Sequence, residues 1–239
     1  MQIPNSYWWR ARVLPVVLVV LPGVVLLVSF IPAVSWPGSA WFLASAAVVM
    51  LLGSLGRDAG RTMQPTLFAK WDGAPTTRRL RFSGSTNATA TSRLHQLLAA
   101  LPNGLNVPTQ AAETADPASA DQAYEVIVSA LRELTRDRKR FPLVHAENVE
   151  YGFRRNLRAL KRVGVAIALV IMVISIVGGV PVGLLVTHEA ALALIVPAAC
   201  AALALTLWSK VSDNWVRLPA EAYADRLMGA VEILSSSST

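Results

Sequence analysis

The sequence predicts a mainly α-helical integral membrane protein: four transmembrane helices in two hairpins, with a basic, mostly helical cytoplasmic insert between them. Three observations carry this. Hydrophobic residues make up 54% of the 239 and charged residues only 15%, against about 25% charged in soluble domains. The deficit is concentrated, because no Asp, Glu, Lys or Arg occurs between Arg12 and Arg57, between Arg162 and Glu189, or between Glu189 and Lys210. Basic residues collect at the ends of those runs and in the segment joining them. Such a composition excludes an ordinary cytosolic enzyme. A secreted disulfide scaffold is also excluded, since Cys200 is the sole cysteine.

About 20 apolar residues cross a ~30 Å hydrocarbon core. The first uncharged run is 44 residues long, too long for one helix, and Pro32, Ser35, Pro37 and Gly38 punctuate it as a turn. It divides into spans at about 13–33 and 40–56, so residues 1–56 form the first hairpin. The second hairpin, 163–209, has spans at about 163–187 and 190–209, with His188 and Glu189 at its turn. Orientation follows from the excess of Lys and Arg on the cytoplasmic side of spans. Arg10 and Arg12 precede span one, Arg57 and Arg61 follow span two, Arg158, Lys161 and Arg162 precede span three, and Lys210 follows span four. Neither hairpin turn carries Lys or Arg. Both termini and the insert are therefore expected in the cytoplasm. Trp8, Trp9, Trp36, Trp41 and Trp208 lie near span ends, where aromatic side chains anchor at the interface. A cleaved signal peptide ending near Ser39-Ala40 is the competing reading of the N-terminus, but the apolar run continues past that site.

The insert, residues 57–162, holds 17 Lys/Arg and 10 Asp/Glu, a net charge of +7. Leu80-Arg81-Phe82 reads as a short strand, weakly signalled. Leu94, Leu97, Leu98 and Leu101 share one helix face by their spacing. Residues 102–118, rich in Pro, Asn, Ala and Thr, read as a surface loop. A second helix starts near Ser119 or Asp121, sets Tyr124, Ile127, Val128, Leu131 and Leu134 on one face, and ends in Arg136, Arg138, Lys139 and Arg140, cations at the negative end of its dipole. A third helix starts near Glu147 and runs into span three, with Tyr151, Arg155, Arg158 and Arg162 on a common face and Arg154 and Lys161 beside it. Residues 210–239 are expected as a C-terminal cytoplasmic helix at the surface that packs on the insert or on a neighbour.

Catalytic signatures are lacking. The chain has no Gly-rich phosphate loop ending in Gly-Lys-Ser/Thr, no His-Glu-x-x-His and no Cys-x-x-Cys. His95, His145 and His188 are scattered, and His145 near Glu147 reads as a polar pair at a helix start. No enzyme activity, metal or cofactor is expected. The spans hold no ionisable residue, which argues against a pump but leaves room for a pore gated by a hydrophobic constriction. Ser175, Gly178, Gly179 and Pro181 of span three are the candidate pore or gating residues, with close helix packing as their plain alternative.

Three basic groups stand out: Arg78, Arg79 and Arg81; Arg136, Arg138, Lys139 and Arg140; and Arg154, Arg155 and Arg158 with Lys161 and Arg162. Contact with anionic lipid headgroups accounts for part of this charge. The sharper expectation is a site for single-stranded nucleic acid or a nucleotide, because guanidinium forks match phosphate oxygens. Trp71 and Tyr151, with Phe82 and Phe153, lie near these cations in sequence; they would stack on bases, or else form the core of a small domain.

Gly56-Arg57-Asp58-Ala59-Gly60-Arg61, the run Phe68 to Thr77, Leu80-Arg81, Arg136-Asp137 and Asn148 to Leu157 form a pattern that resembles uncharacterised bacterial membrane proteins. The layout of two hairpins around a basic insert resembles membrane effectors of bacterial anti-phage systems, most closely the channel effector of the Hailong system. That resemblance implies a homo-oligomeric channel in a bacterial inner (plasma) membrane, taken as a tetramer. A partner nucleotidyltransferase would supply a single-stranded DNA oligomer that holds it shut, and loss of the DNA would depolarise the cell. The expected function is thus a channel gated by single-stranded DNA or a nucleotide second messenger. The alternative is a non-channel membrane anchor whose insert recruits an acidic protein.

Overall fold

The computed structural model describes residues 9–30, 38–101, 105–182 and 188–236; the side chains of 27–30, 38–52, 178–182 and 188–193 fall outside the description. Every regular element among the described residues is helical. A π-helical turn, Trp9–Val13, leads into α1, Leu14–Phe30. There follow α2 (Gly38–Lys70), the single turn α3 (Pro75–Arg78), α4 (Ala88–Ala99), α5 (Gln110–Ala115), α6 (Pro117–Leu134), α7 (Pro142–Val182), α8 (His188–Lys210) and α9 (Asp213–Ser236).

Helices cover the described parts of the four expected span positions, 31–33 and 183–187 lying outside the described residues. Among the described residues, two are long and apolar enough to cross a membrane: Trp9–Leu26, of mean hydropathy 1.8, and the stretch of α7 within Pro142–Val177, of mean hydropathy 2.4. A third is added if the bent pair Leu194–Lys210 and Asp213–Ser236 counts as one span. On α7, Val163, Leu169, Val170, Val173, Ile176 and Val177 are each at least half exposed. So long an uncovered apolar surface is what a bilayer accepts and water does not. Pro32, Ser35 and Pro37 of the first expected turn lie outside the described residues, and His188 and Glu189 open α8 rather than forming a turn.

The chain folds as two compact units: Met1–Gln64 with Gly152–Val216, and Pro65–Tyr151 with Arg217–Thr239. The first is called here the apolar unit, the second the lobe. In the apolar unit, Gly56 and Gly60 repeat at a spacing that brings helices close. A Cβ at Gly56 would lie 2.8 Å from Leu160 Cδ1, and one at Gly60 would meet the Asn156 side chain. Asn156 is 3% exposed and donates from Nδ2 to Ala11 O at 2.8 Å, so it joins the turn before α1 to this packing. A Cβ at Gly164 would run into the Trp208 ring. Trp208 is 5% exposed, hence a packing residue rather than the interface anchor its position near a span end suggests.

The lobe closes around Leu80, Leu98, Tyr124, Ile127, Leu131 and, from α9, Leu227 and Val231, all within 1% of full burial. Each fully buried aliphatic side chain contributes about 1.5–3 kcal/mol. The C-terminal helix thus packs on the insert, one of the two placements expected for it, and supplies part of its core; Leu218, at 67% exposed, is one of its solvent residues.

Local chemistry sets the helix ends. After Lys70 the chain leaves α2 through Asp72 (φ 62°) and Gly73 (φ 107°), and Gly73 N–H donates to Phe68 O at 2.8 Å, a left-handed cap that glycine favours. Asp116 accepts from Ser119 N–H at 3.1 Å ahead of Pro117, so α6 begins with an Asp cap and proline in its first turn. The segment expected as a loop at 102–118 holds α5, capped by Thr109, which accepts from Ala112 N–H at 3.2 Å. The short strand expected at 80–82 is not formed: Leu80 N–H bonds Thr77 O in a turn, and Phe82 and Ser83 N–H donate to the Glu113 carboxylate rather than to a ladder.

Candidate ligand site

The first basic group lies in the lobe and is built into ion pairs. Arg78 donates from Nη1 to Glu221 Oε1 at 3.0 Å. Arg79 holds Asp225 through Nε and Nη2 at 2.6 and 3.1 Å and reaches Glu221 Oε2 at 3.3 Å. Arg81 forks onto Asp121 at 2.8 and 2.6 Å and donates to Asp72 O at 2.8 Å. The Asp121 hydrogen bond, opposed by burial and helped by nearby carboxylates, raises the Arg81 guanidinium above its ordinary range. These three arginines nonetheless share a cleft of about 470 Å³ with the loop Ser83–Asn87 and Met228.

Behind the cleft lies a buried polar network. Glu113 is 4% exposed and accepts from Phe82 N–H at 2.9 Å, Ser83 N–H at 2.8 Å and Tyr124 Oη–H at 2.7 Å. Burial alone would raise this carboxyl, but the three donors outweigh it and hold it below the usual carboxylate range. Burial, then the bond to Glu113, pushes the Tyr124 hydroxyl up. His95 Nε2 lies 2.7 Å from Leu80 O and its ring packs on Phe82 at 4.5 Å. The network fixes the first residues of the cleft loop.

The second group, Arg136, Arg138, Lys139 and Arg140, lies in the turn after α6 rather than in its last turn, and all four are exposed. Asp137 organises the turn by accepting from Lys139 N–H at 2.8 Å. Arg136 pairs with Glu133 at 3.4 Å, Arg140 stands over the Phe141 ring at 5.2 Å, and the side chains of Arg138 and Lys139 make no ion pair among the described residues. The third group belongs to the apolar unit. Arg154 donates to Trp215 O at 3.1 Å and stands 4.8 Å from that ring. Arg155 bonds the Gln64 side chain, and Lys161 donates to Val211 O at 2.8 Å. Arg158 instead pairs with Asp213 at 2.8 Å.

The expected stacking platforms are corrected. Trp71 is 4% exposed and packs on Phe68 at 6.0 Å; Tyr151 is 8% exposed. A ring enclosed in packing has no face to offer a base. Ser175 is 5% exposed, and its Oγ has no hydrogen-bond partner among the described residues. Gly178, Gly179 and Pro181 continue the helical backbone of α7; their side chains lie outside the described residues.

Charge is also partitioned differently from the linear insert. The lobe, with its share of α9, has 12 Lys/Arg and 12 Asp/Glu, a net charge of zero. The apolar unit has 10 and 3, the whole +7 of the chain. Glu113, Glu221 and Asp225 are the important residues that periodicity misses. Glu221 and Asp225 are four apart on one helix, the signal that would have flagged them. Among the described residues no group of three or more His, Cys, Asp or Glu is placed to hold a metal. Set against known proteins, the chain matches no family model, no curated protein and no solved structure.

Proposed function

We propose that this chain is an inner-membrane effector of two helical hairpins, with both termini and the lobe in the cytoplasm, assembling as a homo-oligomeric channel whose state follows occupancy by a phosphate-bearing ligand, a single-stranded oligonucleotide or a nucleotide. The observation that carries it is α7, unbroken from Pro142 to Val182, with an exposed apolar surface beyond Arg162 and basic residues before it. No break interrupts it between Tyr151 and Val165, so a change at one end need not be lost in a flexible joint. Cations near the same helix support the reading further. Lys161 keeps its field because the Val211 carbonyl it bonds cancels no charge, and Arg138 and Lys139 are open to solvent. The anti-phage role and the partner nucleotidyltransferase rest on the resemblance described above.

The thermodynamic requirement is a ligand that binds closed and open states with different affinity, since equal affinity shifts nothing. The test is binding of a 3′-labelled thymidine hexamer to the purified full chain, by fluorescence anisotropy over a salt series. Expected is binding at low salt that weakens with salt by a log–log slope of about −0.7 for each phosphate neutralised. No binding at low salt, with an acidic protein captured instead, would favour the anchor reading.

A further inference from the structure

The polar cleft of the lobe deepens that reading and depends on it. Its volume, about 470 Å³, lies within the roughly 300–1,000 Å³ of small-molecule sites. Arg78, Arg79 and Arg81 line it together with Ser83, Ser85, Thr86 and the exposed Asp72. At Gly84 (φ 76°) no atom lies within 4 Å of where a Cβ would stand, so the loop tip faces open space. The end of α4 is not the anion seat: Asn87 Oδ1 already accepts from Ala90 N–H at 3.0 Å.

The three arginines are not equally committed. Arg81 is 16% exposed and held at two points by Asp121, a structural tie. Arg79 and Asp225 are 43% and 59% exposed, and Arg78 makes one bond, to Glu221. Glu221 is shared among Arg78, Arg79 and Arg217. The Arg79–Asp225 pair, open to water, contributes little and exchanges readily; the Arg78–Glu221 pair is more enclosed, at 31% and 22% exposed, but rests on a single bond. A phosphate presents the same fork-matching oxygens with more charge. Both carboxylates come from α9, and the guanidiniums they hold belong to the segment that follows α2.

We propose that the cleft binds the terminal phosphate of a nucleotide, which displaces Glu221 and Asp225 from Arg78 and Arg79 and so unclasps the C-terminal helix. The two carboxylates act as an internal stand-in for the ligand, and α9 responds to its arrival. A lobe of zero net charge exerts no long-range pull on a long polyanion. One-for-one exchange of carboxylate for phosphate selects a short ligand, read by its end.

The experiment uses the full chain in micelles of a neutral detergent. Thymidine hexamers, 3′-labelled and either 5′-phosphorylated or 5′-hydroxyl, report binding; pyrophosphate and short-chain phosphatidylglycerol are competitors. The phosphorylated hexamer should bind more tightly, with pyrophosphate competing. Arg78→Gln with Arg79→Gln should weaken it by about tenfold or more, as expected when charge-assisted forks are lost. Glu221→Gln with Asp225→Asn should tighten it by roughly three- to tenfold, because the internal competitor is gone. Tightening cannot come from a misfolded lobe, so this second variant separates recognition from fold support. Wild-type binding that neither double variant alters would overturn the cleft assignment and leave the proposed function standing. No binding of either hexamer by wild type would overturn both. Competition by phosphatidylglycerol but not by pyrophosphate would overturn the nucleotide assignment in favour of a lipid headgroup.

Discussion

The lobe and the apolar unit carry nearly equal numbers of cations, 12 and 10, yet one is neutral and the other holds a charge of +7. In the lobe, Arg78, Arg79 and Arg81 end on carboxylates, several of them from helices far along the chain. In the apolar unit, where cations outnumber carboxylates, Lys161 ends on the Val211 carbonyl oxygen. The first arrangement spends charge on holding a fold together. The second satisfies the donors and leaves the field intact, which is what residues flanking a membrane span require if they are to fix orientation and attract anionic headgroups. Counting arginines along an insert does not tell these cases apart; their partners do.

The contrast can be broken at several points, the deepest first. Leu227 is fully buried in the lobe core, so Leu227→Ala should cost the lobe about 2–5 kcal/mol, read as a lowered melting transition of the solubilised full chain. A wild-type melting temperature would mean that the C-terminal helix does not belong to that core. Arg81→Ala comes next. Loss of a mostly buried guanidinium that leaves Asp121 unpaired should cost about 2–3 kcal/mol, somewhat less than in a fully buried pair. Arg138→Ala, on an exposed turn, should stay within about 0.5 kcal/mol. Equal effects at the two positions would erase the distinction between committed and open cations. The mildest perturbation is acid. Glu113 is held below its ordinary value of 4.5, so its contribution is complete above that pH and is lost as pH falls through the lower folded value. Below pH 4.5 the wild-type lobe should therefore lose stability more steeply than Glu113→Gln, which has no such carboxyl to protonate. Parallel acid profiles would contradict the role given to the buried carboxylate.

Much of the helical framework was legible because membrane helices announce themselves by missing charge, and because Tyr124, Ile127, Val128 and Leu131 repeat at helical spacing and are in fact buried. Turn chemistry hid more. The loop expected at 102–118 conceals a capped helix whose Glu113 serves as backbone acceptor for Phe82 and Ser83, and the same bonds remove the strand expected there. Least legible were partnerships across long chain separations. Arg78 and Glu221 are 143 residues apart, and Arg79 and Asp225 are 146 apart. Nothing periodic links such positions, so the lobe's neutrality emerges only once α9 is folded into its core. Trp71 and Tyr151 show the same limit: aromatic rings near cations in sequence are as readily core as platform, and burial decides between them.

The most direct test of a ligand-set membrane effector is electrical. Purified full chain, reconstituted in a planar bilayer, should show a conductance that shifts reversibly when a 5′-phosphorylated thymidine hexamer is added on the side bearing the lobe, and not when it is added on the other side. A bilayer that stays silent with and without the oligonucleotide on either side, with incorporation verified by protein recovery, would contradict the channel and the gating together.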